Sequence, residues 1–370
     1  MKILIAPNAF KGTLTAGAAG AAIAAAARRV RRGAGVELLS IADGGDGLLE
    51  ALRPALGGEI MRSRVEGPAG ESVTARWLMA GETAVIEMAE ASGLGRLGAG
   101  GLRPLDASTR GVGQLIAGAA RKGAREIIVG LGGSASNDGG AGCAQAFGFS
   151  LLDPRGRPIA RGVRGLAALA EIVPSRAAEL LKGVKVTGLA DVKNPLCGRL
   201  GSARVFGPQK GAGPREVEFI AGALRNYARV IKRCLGLEVA GLRGGAAAGG
   251  LGAGLAAFFG AELDDGAAFV LKKVGFEEKL ALADLLITGE GCFDRQTFYG
   301  KASGAAIAAA RRLGKPVVVV CGRSLIKDRR ALARLGVSAV IETGALPAPA
   351  RAVRLAVERG LPAALELLGI

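Results

Sequence analysis

The stretch KILIAPNAFKGTLTAGAAGAAIAAAARRVRRGAGVELLSIADGGDG, residues 2–47, decides the fold class. Its apolar opening, 2–7, ends at a proline and predicts a buried strand, and the alanine-rich run 16–32 predicts a helix. Thr15 is a suitable N-cap for that helix. A second strand is expected over 36–41, just before a turn of aspartates and glycines. Strand, helix and strand in this order indicate a parallel sheet with helices on its faces.

The same alternation returns near the other end of the chain. Three apolar runs predict strands there: 284–288, 316–321 and 338–342. Two intervening runs predict helices: 302–313 and 327–335. In the middle, alternating apolar residues favour antiparallel pairing of 73–78 with 83–88, and two more strands are expected at 126–131 and 184–190. The sequence therefore predicts one α/β domain built from both chain ends, 1–60 plus 285–370, and a mixed α/β domain inserted at 61–284.

Composition narrows the class of protein. The chain has 370 residues, half of them apolar, and can bury a large core. Its net charge of +17 raises the question of a nucleic-acid partner. However, aromatic residues make up only 4% of the chain and do not alternate with basic residues as they do on base-stacking surfaces. A basic surface that serves small anionic substrates accounts for the charge equally well, and we expect no nucleic-acid partner.

The absence of histidine limits the possible chemistry. It excludes imidazole acid–base catalysis, Ser-His-Asp triads and histidine-ligated zinc, so proton transfer falls to Asp, Glu, Lys or water. The five cysteines show no CxxC spacing, which is typical of reduced thiols in a cytoplasmic protein. The uncharged stretch 244–261 contains seven glycines, so it predicts a loop leading into a buried helix rather than a membrane span. No signal peptide is evident.

The glycine-rich stretch GLGGSASNDGGAG, residues 130–142, directly follows an apolar strand. Glycine lets backbone N–H groups approach a ligand closely, and Ser134, Ser136, Asn137 and Asp138 add small polar side chains. The stretch lacks the lysine of a P-loop. An anion site and an ordinary strand-to-helix turn are equally good interpretations of this loop taken alone.

Similar clusters of glycine and polar residues follow other predicted strands, where ligands bind in parallel sheets. Their candidate side chains are Asn8, Lys11, Asp43, Asp46, Asp191, Asn194, Gln209, Lys210, Glu290, Asp294 and Lys301. Asp43 is alternatively a helix N-cap. Glu87 and Glu90 are either functional carboxylates on one helical face or solvated charges, and a lysine in a turn, such as Lys210, is usually solvated. Phosphoryl transfer uses carboxylates that bind Mg²⁺, lysines that neutralise phosphate charge and glycine loops whose backbone approaches the phosphate. It does not require histidine.

Taken together, these motifs resemble the bacterial glycerate kinase family nearly from end to end. The resemblance rests on IAPNAFKG (5–12), ADGGDG (42–47), IEMAEASGL (86–94), GGSASNDGGAG (132–142), Asp191 with NPL (194–196), VFGPQKGA (205–212), GGLGAG (249–254) and TGEG (288–291) with Asp294, QT (296–297) and GK (300–301). It implies ATP- and Mg²⁺-dependent phosphorylation of D-glycerate, most often to 2-phosphoglycerate. It also implies two α/β domains, one of them flavodoxin-like, with the active site in the cleft.

Two departures from the family's motifs bear on the identity of the substrate more than on the type of reaction. The family usually has Asp-Ser where this chain has Asn8-Ala9, and tends to have tyrosine where this chain has Arg110. A kinase that forms 3-phosphoglycerate or acts on another small sugar acid is therefore an alternative. A non-catalytic protein that binds nucleic acid is a remote one, because acidic glycine loops would repel a polyanion. The sequence leaves a homodimer open.

On the leading interpretation, the site residues fall into three groups. Asp191 is the first candidate for the activating carboxylate and Asp294 the second, with Lys11 completing the catalytic set. The residues expected to bind substrate or phosphate are Asn8, Ser134, Ser136, Asn137, Asp138, Asn194, Gln209, Lys210 and Lys301. The residues expected to hold Mg²⁺ are Asp43, Asp46 and Glu290.

Overall fold

A computed structural model describes residues 1–370 except 11, 99, 100, 175 and 345–348, and gives only the backbone of 176–178. The candidate catalytic residue Lys11 thus lies outside the described residues. The strands are β1 (Lys2–Pro7), β2 (Gly35–Leu38), β3 (Glu59–Glu66), β4 (Ser72–Ala80), β5 (Thr83–Glu87), β6 (Glu126–Gly130), β7 (Ser150–Leu152), β8 (Glu171–Val173), β9 (Lys185–Ala190), β10 (Glu262–Asp265), β11 (Leu285–Phe293), β12 (Val317–Ser324) and β13 (Ala339–Glu342). The α-helices are α1 (Ala16–Val30), α2 (Leu48–Leu56), α3 (Met88–Ser92), α4 (Arg110–Arg121), α5 (Ala141–Ala146), α6 (Gly162–Ala167), α7 (Ser202–Phe206), α8 (Pro214–Leu235), α9 (Leu251–Phe259), α10 (Gly266–Lys273), α11 (Phe276–Ala281), α12 (Ala302–Arg312), α13 (Arg329–Leu335) and α14 (Pro349–Leu368).

The chain divides into two compact units. Unit 1 comprises Met1–Asp43, Glu50–Ala55 and Gly266–Ile370, and unit 2 comprises Gly44–Leu49 and Leu56–Asp265. Both ends of the chain therefore contribute to unit 1, as the sequence predicts.

Unit 1 contains a parallel sheet in the order β13-β12-β11-β1-β2. Numbered along the chain within this unit, the order is 2-1-3-4-5, which is the flavodoxin-like arrangement. The valines Val317–Val320 are fully buried, as expected for a strand with helices on both faces. Helix α1 packs against α14, and Thr15 accepts a hydrogen bond from the Ala18 backbone as its N-cap. The prediction of a flavodoxin-like sheet is confirmed.

Unit 2 contains a mixed sheet in the order β10-β9-β6-β5-β4-β3. The pairs β3–β4 and β4–β5 are antiparallel, and the remaining pairs are parallel, so the predicted mixture is confirmed. The core includes Trp77 and Tyr227, together with edge-to-face contacts of Phe149 with Phe258 and of Phe147 with Phe259. Phe258 and Phe259 are the last two residues of α9, the buried helix that the sequence predicts at the end of the glycine-rich stretch 244–261. No helix in the described part of the chain is long and apolar enough to cross a bilayer.

One predicted boundary is wrong in a way that bears on the site. Strand β11 continues to Phe293, so Glu290 lies within the strand and not in a loop after it. Gly289 faces the Val320 carbonyl oxygen so closely that a Cβ would lie 2.0 Å from it. The glycines here allow neighbouring strands to approach, and their presence in the sequence suggests a loop that does not exist.

Candidate active site

The carboxyl ends of the parallel strands gather the polar motifs within each unit. In unit 2, the loop after β6 carries Ser134, Ser136, Asn137 and Asp138. Asp138 is fully buried and accepts hydrogen bonds from Thr109 N and Oγ1 (both 2.9 Å) and from the backbone N–H groups of Gly140 and Gly142 (both 3.2 Å). Burial raises its pKa against the effect of these donors. Its carboxylate fixes the shape of the loop from inside.

Lys210 is buried beneath the same loop, with 2% of its surface exposed. It ends a 3₁₀ turn, Pro208–Lys210, and its Nζ donates to Ser134 Oγ at 2.7 Å and to the Ser136 carbonyl oxygen at 2.6 Å. Burial lowers the pKa of Lys210 to about 7, although the nearby Asp138 charge acts to raise it. The usual expectation that a turn lysine is solvated is wrong here, and the amine titrates near neutral pH beside a serine hydroxyl.

A second loop presses on this one from behind. Ala248, Gly249 and Gly250 all have positive φ, and a Cβ on Gly249 would lie 1.9 Å from the Ser136 carbonyl oxygen. Left-handed backbone costs a non-glycine residue such as Ala248 roughly 1–2 kcal/mol. Ser136 Oγ and Asn137 Oδ1 are buried without a hydrogen-bond partner among the described residues. Strain and unpaired polar atoms at one place are typical of a functional site.

The remaining candidates of unit 2 lie around this loop or at the next strand end. Asp46 is exposed, and its Oδ1 lies 3.1 Å from the position a Cβ on Gly133 would take. Asp191 is partly buried and directly follows β9. Asn194 donates from Nδ2 to the Leu200 carbonyl at 2.8 Å, which orders the segment after β9. Gln209 is exposed.

Two glutamates that the sequence left open between function and solvation form internal contacts instead. Glu87 is buried and accepts a hydrogen bond from the Leu49 backbone at 2.8 Å. Glu90 forms ion pairs with Arg76 and Arg96, each at 2.7 Å. Burial acts to raise the pKa of Glu90, but the two arginines bring it below its usual value. Both glutamates therefore hold unit 2 together.

In unit 1, Glu290 is buried at the centre of a small polar cluster. Lys301 Nζ donates to it at 2.6 Å and Ser303 Oγ at 2.8 Å. Lys301 is the N-cap residue of α12 and directly precedes the first turn of that helix. Partial burial opposes the charge on Lys301, but the ion pair with Glu290 raises its pKa overall. Asp294 caps the 3₁₀ turn Arg295–Phe298 by accepting from Gln296 N at 2.7 Å.

Asn8 follows β1 and pairs with Asp43. Its Nδ2 donates to Asp43 Oδ2 at 3.1 Å, and both side chains are buried. An aspartate at position 8 would place two carboxylates against each other, whereas the amide supplies a donor. Asp43 is not the N-cap of α2, because that helix begins at Leu48.

A cavity of about 870 Å³ opens at the carboxyl ends of β1, β11, β12 and β13 in unit 1. Phe10, Leu14 and Val353 give it apolar walls, while Glu290, Lys301, Arg323 and Glu342 bring charge to it. Sequence reasoning missed Arg323, which lies near the end of β12, although it comes shortly after a run of valines and directly after a glycine. It also missed Thr109, whose anchoring of Asp138 depends on contacts between distant segments.

Similarity to known proteins agrees with this arrangement. The model of the glycerate kinase family matches residues 3–366. A glycerate kinase of Halalkalibacterium halodurans is 45% identical over 322 residues, which cover 86% of this chain and 85% of the relative. The glycerate 2-kinase of Escherichia coli is 41% identical over 342 residues, covering 92% and 90%. A crystal structure described as glycerate kinase 2 from Salmonella typhimurium superimposes with a TM-score of 0.86 at 40% identity, over 100% of this chain and 98% of that one.

The fold, the site and these similarities define an enzyme that transfers a phosphoryl group to an alcohol. More narrowly, the chain belongs to the glycerate kinase family, as its motifs predict.

Proposed function

We propose that the protein phosphorylates D-glycerate at the 2-hydroxyl, using ATP and Mg²⁺, to give 2-phosphoglycerate. The observation that carries the choice of product is the similarity to a relative named glycerate 2-kinase along nine-tenths of both chains. In the reaction the 2-hydroxyl oxygen forms a bond to the γ-phosphorus while the bond from that phosphorus to the β,γ-bridging oxygen breaks, and ADP leaves. The hydroxyl proton passes to a carboxylate of the enzyme.

Asp191 remains our candidate for that carboxylate. It directly follows β9, one of the parallel strands whose carboxyl ends carry ligands in folds of this type. Asp294 is the second candidate, and its carboxylate accepts a backbone hydrogen bond as a cap. A positioned base contributes about 10²–10⁴-fold to such reactions.

The loop after β6 supplies donors to an anionic substrate. Ser134, Ser136 and Asn137 offer hydroxyl and amide groups, and Lys210 fixes Ser134 from below. We assign Asp138 to the support of this loop rather than to substrate contact, because four donors already surround it. Asn194, Gln209 and Lys11 remain proposed contacts to substrate or phosphate.

Mg²⁺ fits the donor set only as an ion that protein carboxylates and substrate phosphates hold jointly. The described residues contain no cluster of three or more acidic, cysteine or histidine side chains that would enclose a metal by themselves. Mg²⁺ commonly binds through one or two carboxylates together with substrate phosphates and water. One or two of the carboxylates of Glu290, Asp43 and Asp46 would hold the ion, which would neutralise charge on the transferring phosphate. The candidate lysines would also neutralise this phosphate charge, and Glu290 holds Lys301 in place.

The test is a steady-state assay of the purified protein with ATP and either D- or L-glycerate, coupled to enolase. Enolase consumes 2-phosphoglycerate directly, so a signal without added phosphoglycerate mutase supports the 2-kinase. A signal that requires the mutase indicates the 3-phosphate instead. Turnover of other small sugar acids at a higher kcat/KM would favour the second candidate, which the Asn8–Asp43 pair motivates.

The cysteines of the described chain are free thiols, which supports a cytoplasmic site of action for this enzyme.

A further inference from the structure

The cavity of unit 1 lies where a doubly wound sheet changes direction. From β1 the chain passes to β2 on one side, whereas β11 continues to β12 and β13 on the other. Loops leaving neighbouring strands to opposite sides open a crevice at their carboxyl ends, and nucleotides bind in such crevices. Here the crevice is flanked by Asn8 after β1 and by Glu290 in β11.

The size of the cavity favours a large ligand. Its volume of about 870 Å³ falls in the range of about 300–1,000 Å³ in which proteins enclose ligands of drug-like size. A three-carbon acid would leave most of this space to water. A purine nucleotide has a flat apolar ring, a sugar and a charged end, and it would occupy the cavity much more fully.

The walls match these parts. Phe10, Leu14, Ala352 and Val353 give an apolar surface suited to a purine ring. Glu290 is neutralised by Lys301, and Glu342 by Lys327 at 2.5 Å. Arg323 is exposed, and its charge acts on the nearby Glu342. Its guanidinium forms no hydrogen bond or close ion pair with the side chains and carbonyls that the structure describes. Its guanidinium is therefore an available phosphate donor at the charged end of the cavity.

We propose that this cavity binds the nucleoside part of the phosphate donor, with the purine against Phe10, Leu14 and Ala352 and with Arg323 contacting the phosphates. The proposal rests on the proposed function for its choice of donor. It assigns the nucleotide to unit 1, and it leaves the Ser134 loop of unit 2 to bind glycerate or the transferred phosphate.

The test measures equilibrium binding of ADP to the full chain by isothermal titration calorimetry, without glycerate. Arg323→Ala should weaken ADP binding by roughly tenfold to a hundredfold, as expected for loss of a charge-assisted contact. Ala352→Phe fills the apolar part and should weaken ADP by at least tenfold while leaving inorganic triphosphate unaffected. Arg330→Ala removes an exposed arginine of the same unit outside the cavity and should change neither ligand. Thermal melts establish that each variant is folded.

Unchanged ADP affinity in folded Arg323→Ala and Ala352→Phe overturns the proposal, as does a wild-type protein that binds neither ADP nor ATP. A rise in the KM for glycerate at unchanged ADP affinity also overturns it, because the cavity would then hold the acid. The two proposals fail separately. Wild-type turnover of glycerate with unaffected variants refutes only the cavity assignment, whereas cavity-dependent ADP binding without glycerate turnover refutes only the proposed reaction.

Discussion

Nζ of Lys210 lies 2.7 Å from Oγ of Ser134, beneath a loop that Asp138 holds from inside. A buried ammonium group is costly unless it is well paired, and its partners here are a hydroxyl and a carbonyl, with the Asp138 charge nearby. The enzyme thus keeps a titratable amine directly under its glycine-rich loop.

This amine predicts a pH dependence of stability. The pKa of Lys210 is about 7 in the folded chain and about 10.4 when unfolded. Between these two values the unfolded chain binds more protons than the folded chain. The free-energy cost of burying the charged amine, fully present below pH 7, is therefore relieved as the pH rises from about 7 to about 10. Relative to Lys210→Met, the wild type should gain about 1.4 kcal/mol of unfolding free energy per pH unit between roughly pH 7 and 10. Urea unfolding followed by Trp77, the single tryptophan, measures this in unit 2.

The control for this measurement is Lys182→Met, which removes an exposed lysine of the same unit. Its unfolding free energy should follow the wild-type pH profile. If Lys210→Met shows the same slope as the wild type, the amine is not neutral in the folded enzyme.

The packing of the second loop predicts a large effect of one methyl group. Gly249→Ala brings a Cβ against the Ser136 carbonyl at a residue with φ of 66°. Overpacking and left-handed strain together should cost roughly 2–5 kcal/mol of unfolding free energy and reduce kcat, because the Ser136 loop must move. Gly241→Ala, with no atom within 4 Å of the new Cβ, should change stability by less than about 0.5 kcal/mol. Equal effects of the two substitutions in urea unfolding would contradict this.

The proposed base predicts a selective loss of turnover. Asp191→Asn should lower kcat by about 10²–10⁴-fold while the dissociation constant of ADP stays within about twofold, since a base acts in the chemical step. Steady-state kinetics and direct ADP binding provide the two values. Near-wild-type turnover would remove Asp191 from the mechanism and leave Asp294 to be tested in the same way.

The Glu290–Lys301 pair predicts a change in magnesium requirement. Glu290→Gln keeps a hydrogen-bond acceptor for Ser303 but removes the negative charge. The Mg²⁺ concentration that gives half-maximal activity should therefore rise by roughly tenfold or more. Glu277→Gln breaks an exposed ion pair with Arg312 in the same unit and should leave the Mg²⁺ titration unchanged. A raised KM for ATP at constant Mg²⁺ requirement would instead limit Glu290 to holding Lys301.

The sequence predicts the architecture well, because apolar periodicity directly reflects burial. The β-α-β start, the alternation at the far end and the antiparallel middle all recur in the structure. The environment of individual polar residues was not predictable. Lys210 is buried because segments distant in sequence close over it, and the extension of β11 past Gly289 depends on its neighbour Val320. Patterns along one chain carry no information on such contacts.

The pairing of β1 with β11 places Ile3 beside Leu285 at the centre of one sheet. During synthesis at about 5–20 residues per second, the first strand waits roughly 15–60 s for this neighbour. Most of unit 2, contiguous from Leu56 to Asp265, leaves the ribosome in that interval and can begin to fold first. The apolar face of β1 is exposed meanwhile, so we expect nascent chains to be most vulnerable to aggregation and most dependent on chaperones before residue 285 has emerged.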